Sequence, residues 1–251
     1  MTSAATRFSL LHIEAVGGVA GDMLLAGLLD LGADASVVRG GLARLGEPEI
    51  SLDLQRVRDG DQEGLHVRSV APGSGHPHHH LADIQASIAG ADLPAAAAAA
   101  AAAIFLLLCE AEAEVHGGSA ADVHLHEVGE LDSIMDVVGI ALAWHSLGAP
   151  RVQASALPSG SGIVETSHGP LTCPVPAVRA IAERFAVPLR EAPLAGETVT
   201  PTGIAVLAHL CGTGGFGHPP PPVNPESRIG IGVGTRRFAA CPNVVRIHGY
   251  P

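Results

Sequence analysis

The 251-residue chain is 47% hydrophobic but only 3% aromatic, so its core must be built mainly from aliphatic side chains. Its formal net charge of −11 argues against nucleic acids and anionic membranes as partners, since both require a positive protein face. The four cysteines form no Cys-x-x-Cys pair, which argues against a thiolate zinc knuckle and a disulfide framework. Neither a signal peptide nor a membrane span is indicated, so we expect a cytoplasmic protein.

The N-terminal segment predicts a strand, a glycine-rich turn and a helix. The strand covers residues 8–16, and helical spacing begins at residue 23. Backbone N–H groups at such a helix start can hold an anion, so Gly18, Gly21 and Asp22 are candidate contacts for a phosphate or carboxylate. The segment is neither a Walker A motif nor a Gly-x-Gly-x-x-Gly fingerprint, and the glycines could merely permit a tight turn.

A hairpin and several helices are predicted to follow. A proline at the start of an alanine run favours a long helix, because proline is tolerated in the first turn and alanine has the highest helix propensity. The predicted elements are a helix over 35–45, strands over 50–57 and 65–70, a loop over 71–80, a helix over 81–89, a long helix from Pro94, and a helix that begins near Asp132.

Two groups of histidines carry the strongest chemical signal. Imidazole nitrogens together with a carboxylate suit zinc, nickel or iron, and suit calcium or magnesium poorly. The tracts could alternatively be solvated loops. The candidate metal ligands are His76, His78, His79, His80, His124 and His126, and Glu127 follows the second group directly.

Acidic residues beside the second histidine group are candidate catalytic groups. Asp132 and Asp136 are four residues apart and share a helix face, so both could face a site. Glu127, Asp132 or Asp136 could orient histidine ligands or accept a proton. A structural alternative is that Ser133 and Asp136 form a capping box at the helix start.

Beyond residue 150 the chain becomes richer in β-prone segments. Strands are predicted over 152–157 and 162–166 around a turn at 158–162, helices over 178–185 and 204–210, and a closing pair of strands over 228–238 and 243–247. Thr200, Thr202 and Gly203 precede the second of these helices and could offer hydroxyl and N–H groups to an oxyanion. Ordinary N-capping explains the threonines equally well.

These patterns predict an α+β (mixed α/β) fold with a helix-rich N-terminal two-thirds and a β-richer C-terminal third. We expect a helix-rich region over 1–150 that carries the His/Glu/Asp cluster. The β-richer region over 151–251 could pack with it as one domain.

A series of short motifs spans nearly the whole chain: Gly-Val-Ala-Gly-Asp-Met at 18–23, His-His-His-Leu-Ala-Asp-Ile at 78–84, Val-His-Leu-His-Glu-Val-Gly at 123–129, Leu-Asp-Ser-Ile-Met-Asp at 131–136 and Val-Thr-Pro-Thr-Gly at 199–203. This series resembles the LarC family, the nickel-insertion proteins of nickel-pincer nucleotide cofactor synthesis. One departure is Glu14-Ala15-Val16-Gly17, where family members commonly carry Asp-Cys-Phe-Ser.

The resemblance implies a nickel chelatase or cyclometallase of the lyase class. It would insert nickel into pyridinium-3,5-bisthiocarboxylic acid mononucleotide and consume CTP with Mg or Mn. The product would serve as the cofactor in lactate racemase maturation. Family members usually continue into a C-terminal CTP-binding domain, so we expect a separate LarC2-like chain or domain to bind CTP. A homo-oligomer is also expected. Two alternatives stay open: a non-catalytic nickel chaperone or storage module, and a metal-dependent hydrolase in which His124, His126 and a carboxylate activate water.

Overall fold

The computed structural model describes residues 7–46, 52–69, 80–121, 123, 131–166 and 169–251. Within these residues it contains seven helices and ten strands, which confirms the predicted α+β class. The elements up to residue 146 are β1 (Leu10–Ala15), α1 (Gly21–Leu31), α2 (Ala35–Ala43), β2 (Leu52–Asp59), β3 (Gln62–Ser69), α3 (Leu81–Gly90), α4 (Ala95–His116) and α5 (Leu131–Ser146).

The remaining elements are shorter and include more strands. They are β4 (Arg151–Ala154), β5 (Leu157–Ser161), β6 (Ile163–Thr166), β7 (Gly169–Thr172), α6 (Pro176–Phe185), β8 (Leu189–Ala195), α7 (Pro201–Cys211), β9 (Arg228–Val233) and β10 (Val244–Tyr250). β6 and β7 form a two-stranded antiparallel hairpin.

A six-stranded mixed sheet organises the structure, in the order β2-β3-β9-β10-β1-β4. β10 pairs antiparallel with both β1 and β9, while β4 and β3 join the sheet by parallel pairing. The sheet thus combines strands from both sides of residue 150. The predicted closing pair is confirmed as β9 and β10.

Helix α1 lies directly on the sheet because β9 presents glycines to it. A Cβ atom at Gly232 would lie 1.8 Å from the carbonyl oxygen of Met23, and one at Gly230 would lie 2.2 Å from that of Gly27. Only residues without a side chain permit such an approach. This contact fixes where the first turn of α1 lies.

Helix α4 is long and apolar enough, by length and composition, to cross a membrane, but half of its most apolar stretch is buried inside the protein. Its buried face includes Ala97, Ala101, Ile104 and Phe105. Small alanine side chains let the neighbouring helices α5, α6 and α7 pack close to it. α4 therefore serves as a central core helix.

The turn predicted at residues 158–162 is wrong. Leu157–Ser161 forms β5, which pairs in parallel with β8. Gly160 is required here by a close chain approach, since a Cβ atom would lie 1.9 Å from the carbonyl oxygen of Gly196. The glycines of this segment therefore allow close packing of two strands and do not mark a chain reversal.

A buried polar pair lies on β1 and β10, where His12 and His248 occupy opposing positions. The His12 side chain is fully buried, and its Nε2 lies 3.0 Å from the hydroxyl oxygen of Ser155. Burial, and next the charge of His248, lower the pKa of His12 from 6.5 to about 4. His12 is therefore neutral in the folded protein at pH 5 to 7.

We expect His12 to make the protein less stable in mild acid. Between pH 6.5 and 4, His12 binds a proton in the unfolded chain but not in the folded protein. The free energy of unfolding therefore falls by about 3 kcal/mol as the pH is lowered over this range. Denaturant unfolding of wild type and His12→Gln at pH 7 and pH 4 measures the difference, because glutamine stays neutral and can still bond Ser155. An identical pH dependence in both proteins would contradict this assignment.

Candidate functional site

Two segments predicted to bind anions lie side by side. The N–H of Val19 donates to the carbonyl oxygen of Thr198 at 2.7 Å, and the N–H of Thr200 donates to that of Val19 at 3.1 Å. Gly203 permits this crossing, since a Cβ atom there would lie 2.5 Å from the carbonyl oxygen of Val19. The same holds for Gly18, whose Cβ would lie 2.2 Å from the carbonyl oxygen of Thr198. The glycines thus join the two segments tightly.

The threonines before α7 have a structural role. Thr200 is the N-cap of α7, and its hydroxyl accepts the N–H of Gly203 at 3.1 Å. This confirms the N-capping alternative for Thr200. Thr202 is buried in the first turn of the helix. Oxyanion binding by Thr200, Thr202 and Gly203 stays a prediction.

The start of α1 faces carboxylates of the protein itself. α1 begins at Gly21, two residues earlier than predicted, so Asp22 belongs to its first turn. The N–H of Asp22 donates to the Asp136 carboxylate, and the N–H of Met23 donates to Asp22 Oδ1 at 2.8 Å. A Cβ atom at Gly21 would lie 2.4 Å from Asp136 Oδ2, so glycine allows this carboxylate to reach the helix start. Phosphate binding by Gly18, Gly21 and Asp22 stays a prediction, and two of the N–H groups in this turn already have internal acceptors.

The capping box predicted for Ser133 and Asp136 is wrong. α5 begins at Leu131, which places Ser133 in the first turn of the helix and not before it. The carboxylate of Asp136 instead contacts α1, where it accepts the N–H of Asp22. The spacing fits a cap, but tertiary contact with α1 determines where the side chain lies.

Asp132 and Asp136 do share a helix face, and that face lines a pocket of about 340 Å³. We call it the acidic pocket. It is lined by Asp22, His66, Val67, Arg68, Asp132, Met135, Asp136 and Thr235. Helices α1 and α5, strand β3 and the segment after β9 therefore all contribute to it.

Two of the three carboxyl groups of the acidic pocket, those of Asp22 and Asp136, resist ionisation. Burial, followed by the charges of Asp22 and Asp132, raises the pKa of Asp136 well above its usual value. Burial also raises the pKa of Asp22. Asp136 Oδ1 is shielded from solvent and accepts no hydrogen bond from the described residues. A raised pKa of a carboxyl group that lines a pocket is typical of functional sites.

His66 is a pocket residue that the sequence did not reveal. Its Nδ1 lies 2.8 Å from the carbonyl oxygen of Val233, which can only accept, so Nδ1 carries the proton. In the neutral ring Nε2 then keeps its lone pair for a proton or a metal ion. A single histidine in an alternating strand gives no signal of this role, and only the pairing of β3 with β9 brings it to the pocket.

Most of the predicted histidine ligands, together with Glu127, lie outside the described residues: His76, His78, His79, His124 and His126. His80 is described and is the N-cap of α3, where its N–H donates to the Asp83 carboxylate at 3.1 Å. In the described part of the chain, no three His, Cys, Asp or Glu side chains are placed to hold a metal ion together. The acidic pocket is therefore an open set of donors and not a closed metal cage.

The acidic pocket thus presents carboxyl groups and an imidazole on an α+β fold. Donors of this kind bind divalent transition metals. The chain belongs to the nickel insertion protein family, whose model matches residues 11–249.

Curated relatives named for nickel insertion are similar over most of this chain. The relative from Geobacter metallireducens is 42% identical over 239 residues, which cover 95% of this chain and 60% of the relative. Those from Myxococcus xanthus and Roseiflexus castenholzii are 41% and 39% identical, covering 94% and 95% of this chain and 59% and 58% of the relatives. The chain thus spans about 60% of the length of these relatives. No solved structure matches it significantly.

Proposed function

We propose that this chain inserts nickel into pyridinium-3,5-bisthiocarboxylic acid mononucleotide, which yields the nickel-pincer nucleotide cofactor used by lactate racemase. Family membership supports a role in metal insertion. The observation that links the proposal to particular residues is the acidic pocket, whose lining includes three carboxyl groups and one imidazole. In this proposal the protein is a cytoplasmic nickel chelatase of the lyase class.

Nickel is the substrate of this reaction, and the pocket residues would receive it. Asp22, Asp132 and the Nε2 of His66 are oxygen and nitrogen donors of the kind that binds Ni²⁺ exchangeably. Since no three described side chains are placed to hold an ion together, further ligands would come from the histidine groups or the substrate. His124 and His126 precede α5 by seven and five residues in the chain, and we include them with His76, His78, His79 and His80 as carriers.

Cysteine is a poor alternative among the described ligands. Burial raises the pKa of Cys109 and of Cys211 to about 12, so both stay protonated at neutral pH. Metal binding requires the thiolate. No cysteine is among the described residues that line the acidic pocket, so nickel bound there should be held by oxygen and nitrogen atoms.

Formation of the nickel–carbon bond releases the proton of the ring carbon, and a base must accept it. Asp136 suits this role, because its raised pKa makes its ionised form a stronger base than an exposed aspartate. Two thiocarboxylate sulfurs of the substrate would complete the nickel coordination. Glu127 and Asp132 would orient ligands or relay the proton in this scheme.

CTP with Mg or Mn would act through a region outside this chain. The chain spans about 60% of its relatives, and no segment of it contains the Gly-x-x-x-x-Gly-Lys-Ser/Thr pattern of a triphosphate loop. We propose a LarC2-like domain or separate chain as the partner, and a homo-oligomeric assembly.

The test is to incubate the purified chain with nickel, the bisthiocarboxylate substrate, magnesium and CTP. We expect nickel binding but no CMP release and no nickel-pincer product until the C-terminal partner protein is added. Product formation without the partner would contradict the proposal that CTP acts through a separate domain or chain. Nickel binding without product, even with the partner present, would identify a nickel chaperone or storage module instead.

A further inference from the structure

Arg68 is the one lysine or arginine among the described residues that line the acidic pocket. It follows His66 by two positions on β3 and is exposed at the pocket wall. Although three aspartates line the same pocket, no described residue forms an ion pair or hydrogen bond with its guanidinium. An arginine in this position is available to an incoming ligand.

Electrostatics require such a cation if the ligand is anionic. The chain carries a net charge of −11, and each aspartate of the acidic pocket repels a phosphate or carboxylate group whenever it is ionised. A guanidinium offers a delocalised charge and paired N–H donors that fit a phosphate. The side chain of Thr235, also at the wall, adds a hydroxyl donor.

The alternative anion site at the start of α1 is largely occupied by internal hydrogen bonds. The N–H of Asp22 donates to Asp136, and the N–H of Met23 donates to Asp22. An external phosphate there would have to displace a carboxylate that is packed against Gly21. The pocket wall therefore offers the better site.

We propose that Arg68, assisted by Thr235, binds the phosphate of the substrate while its ring faces the carboxylates of the acidic pocket. This inference rests on the proposed function for the identity of the substrate class, a pyridinium mononucleotide. A pocket of about 340 Å³ lies within the range of roughly 300–1,000 Å³ found for small-molecule sites. The pocket is thus divided into a metal-facing acidic floor and a phosphate-binding wall.

The experiment compares two probes by calorimetry: nicotinic acid mononucleotide, and its riboside, which lacks only the phosphate. Wild type should bind the mononucleotide at least about tenfold more tightly than the riboside, as expected for charged hydrogen bonds. Arg68→Gln should remove this preference, and Arg68→Lys should restore part of it. Arg58→Gln, on the same hairpin and likewise exposed to solvent, should keep the wild-type preference.

Nickel affinity of the same variants separates a binding role from a folding defect. Removing a positive charge beside three carboxylates should leave Ni²⁺ binding unchanged or tighten it, so the two ligands do not weaken together. A wild type that does not prefer the phosphate, an Arg68→Gln variant that keeps the preference, or a parallel loss of both ligands would each overturn the proposal. An Arg68-dependent phosphate preference in a protein that inserts no nickel would refute the proposed function and leave the phosphate site standing.

Discussion

Replacing Asp136 with asparagine is expected to reduce nickel insertion by at least about 100-fold, the lower bound for losing a positioned proton acceptor. Asparagine has nearly the same shape and can still accept the N–H of Asp22, so the contact between α1 and α5 is retained. It cannot accept the ring proton or offer a charged oxygen to nickel. The loss should appear in product formation measured with the partner protein present.

The same substitution should make the protein more stable at neutral pH. Because burial and two neighbouring carboxylates raise the pKa of Asp136, its contribution to stability is fully present below the unfolded pKa and is lost as the pH rises through the folded pKa. Denaturant unfolding of Asp136→Asn and wild type at pH 4 and pH 8 should therefore diverge at the higher pH. Asp61→Asn, at the exposed β2–β3 turn, is the matched control. Full insertion activity in Asp136→Asn would remove this residue from the proposed site.

Gly232→Ala is expected to lower the free energy of unfolding by about 3 kcal/mol or more, at the upper end for overpacking. The added methyl group would lie 1.8 Å from the carbonyl oxygen of Met23 and 2.8 Å from the backbone nitrogen of Gly27. Both atoms belong to the backbone of α1, so no side-chain rotation can relieve the overlap. The helix would have to move away from the sheet.

Gly40→Ala supplies the control for this substitution. Gly40 lies in α2, and a Cβ atom there would meet nothing within 4 Å. Alanine should therefore stabilise the helix by about 0.5–1 kcal/mol. Denaturant midpoints of the two variants should shift in opposite directions from wild type. Similar shifts in both would show that α1 does not depend on the close approach at Gly232.

Local sequence patterns predicted most of the individual elements. The alanine run after Pro94 predicted α4, and alternating residues predicted the hairpin of β2 and β3. The glycines at residues 158–162 led to a wrong prediction, because a glycine needed for close packing has the same sequence signature as one needed for a turn. Gly160 shows this, since the chain that it approaches lies at Gly196.

The candidate site was only partly predictable for a related reason. Asp132 and Asp136 share one helix face, so their four-residue spacing indicated that they could act together. His66, Arg68 and Thr235 join them only through the order of strands in the sheet and the packing of helices on it. No local pattern contains that information. Asp22 was selected as a partner for an external anion, whereas it lies beside another carboxylate.

The position of β10 has a consequence for the order in which this protein can be assembled during synthesis. Leu10 of β1 is synthesised early, yet its antiparallel partner is Tyr250 of β10. β10 also pairs with β9 and so joins β9 to the sheet. Until Val244–Tyr250 has emerged, β1 and β9 each present an unpaired edge. Such edges invite pairing with other nascent chains. The sheet is therefore completed only when β10, which lies between β9 and β1, has been synthesised after both of them.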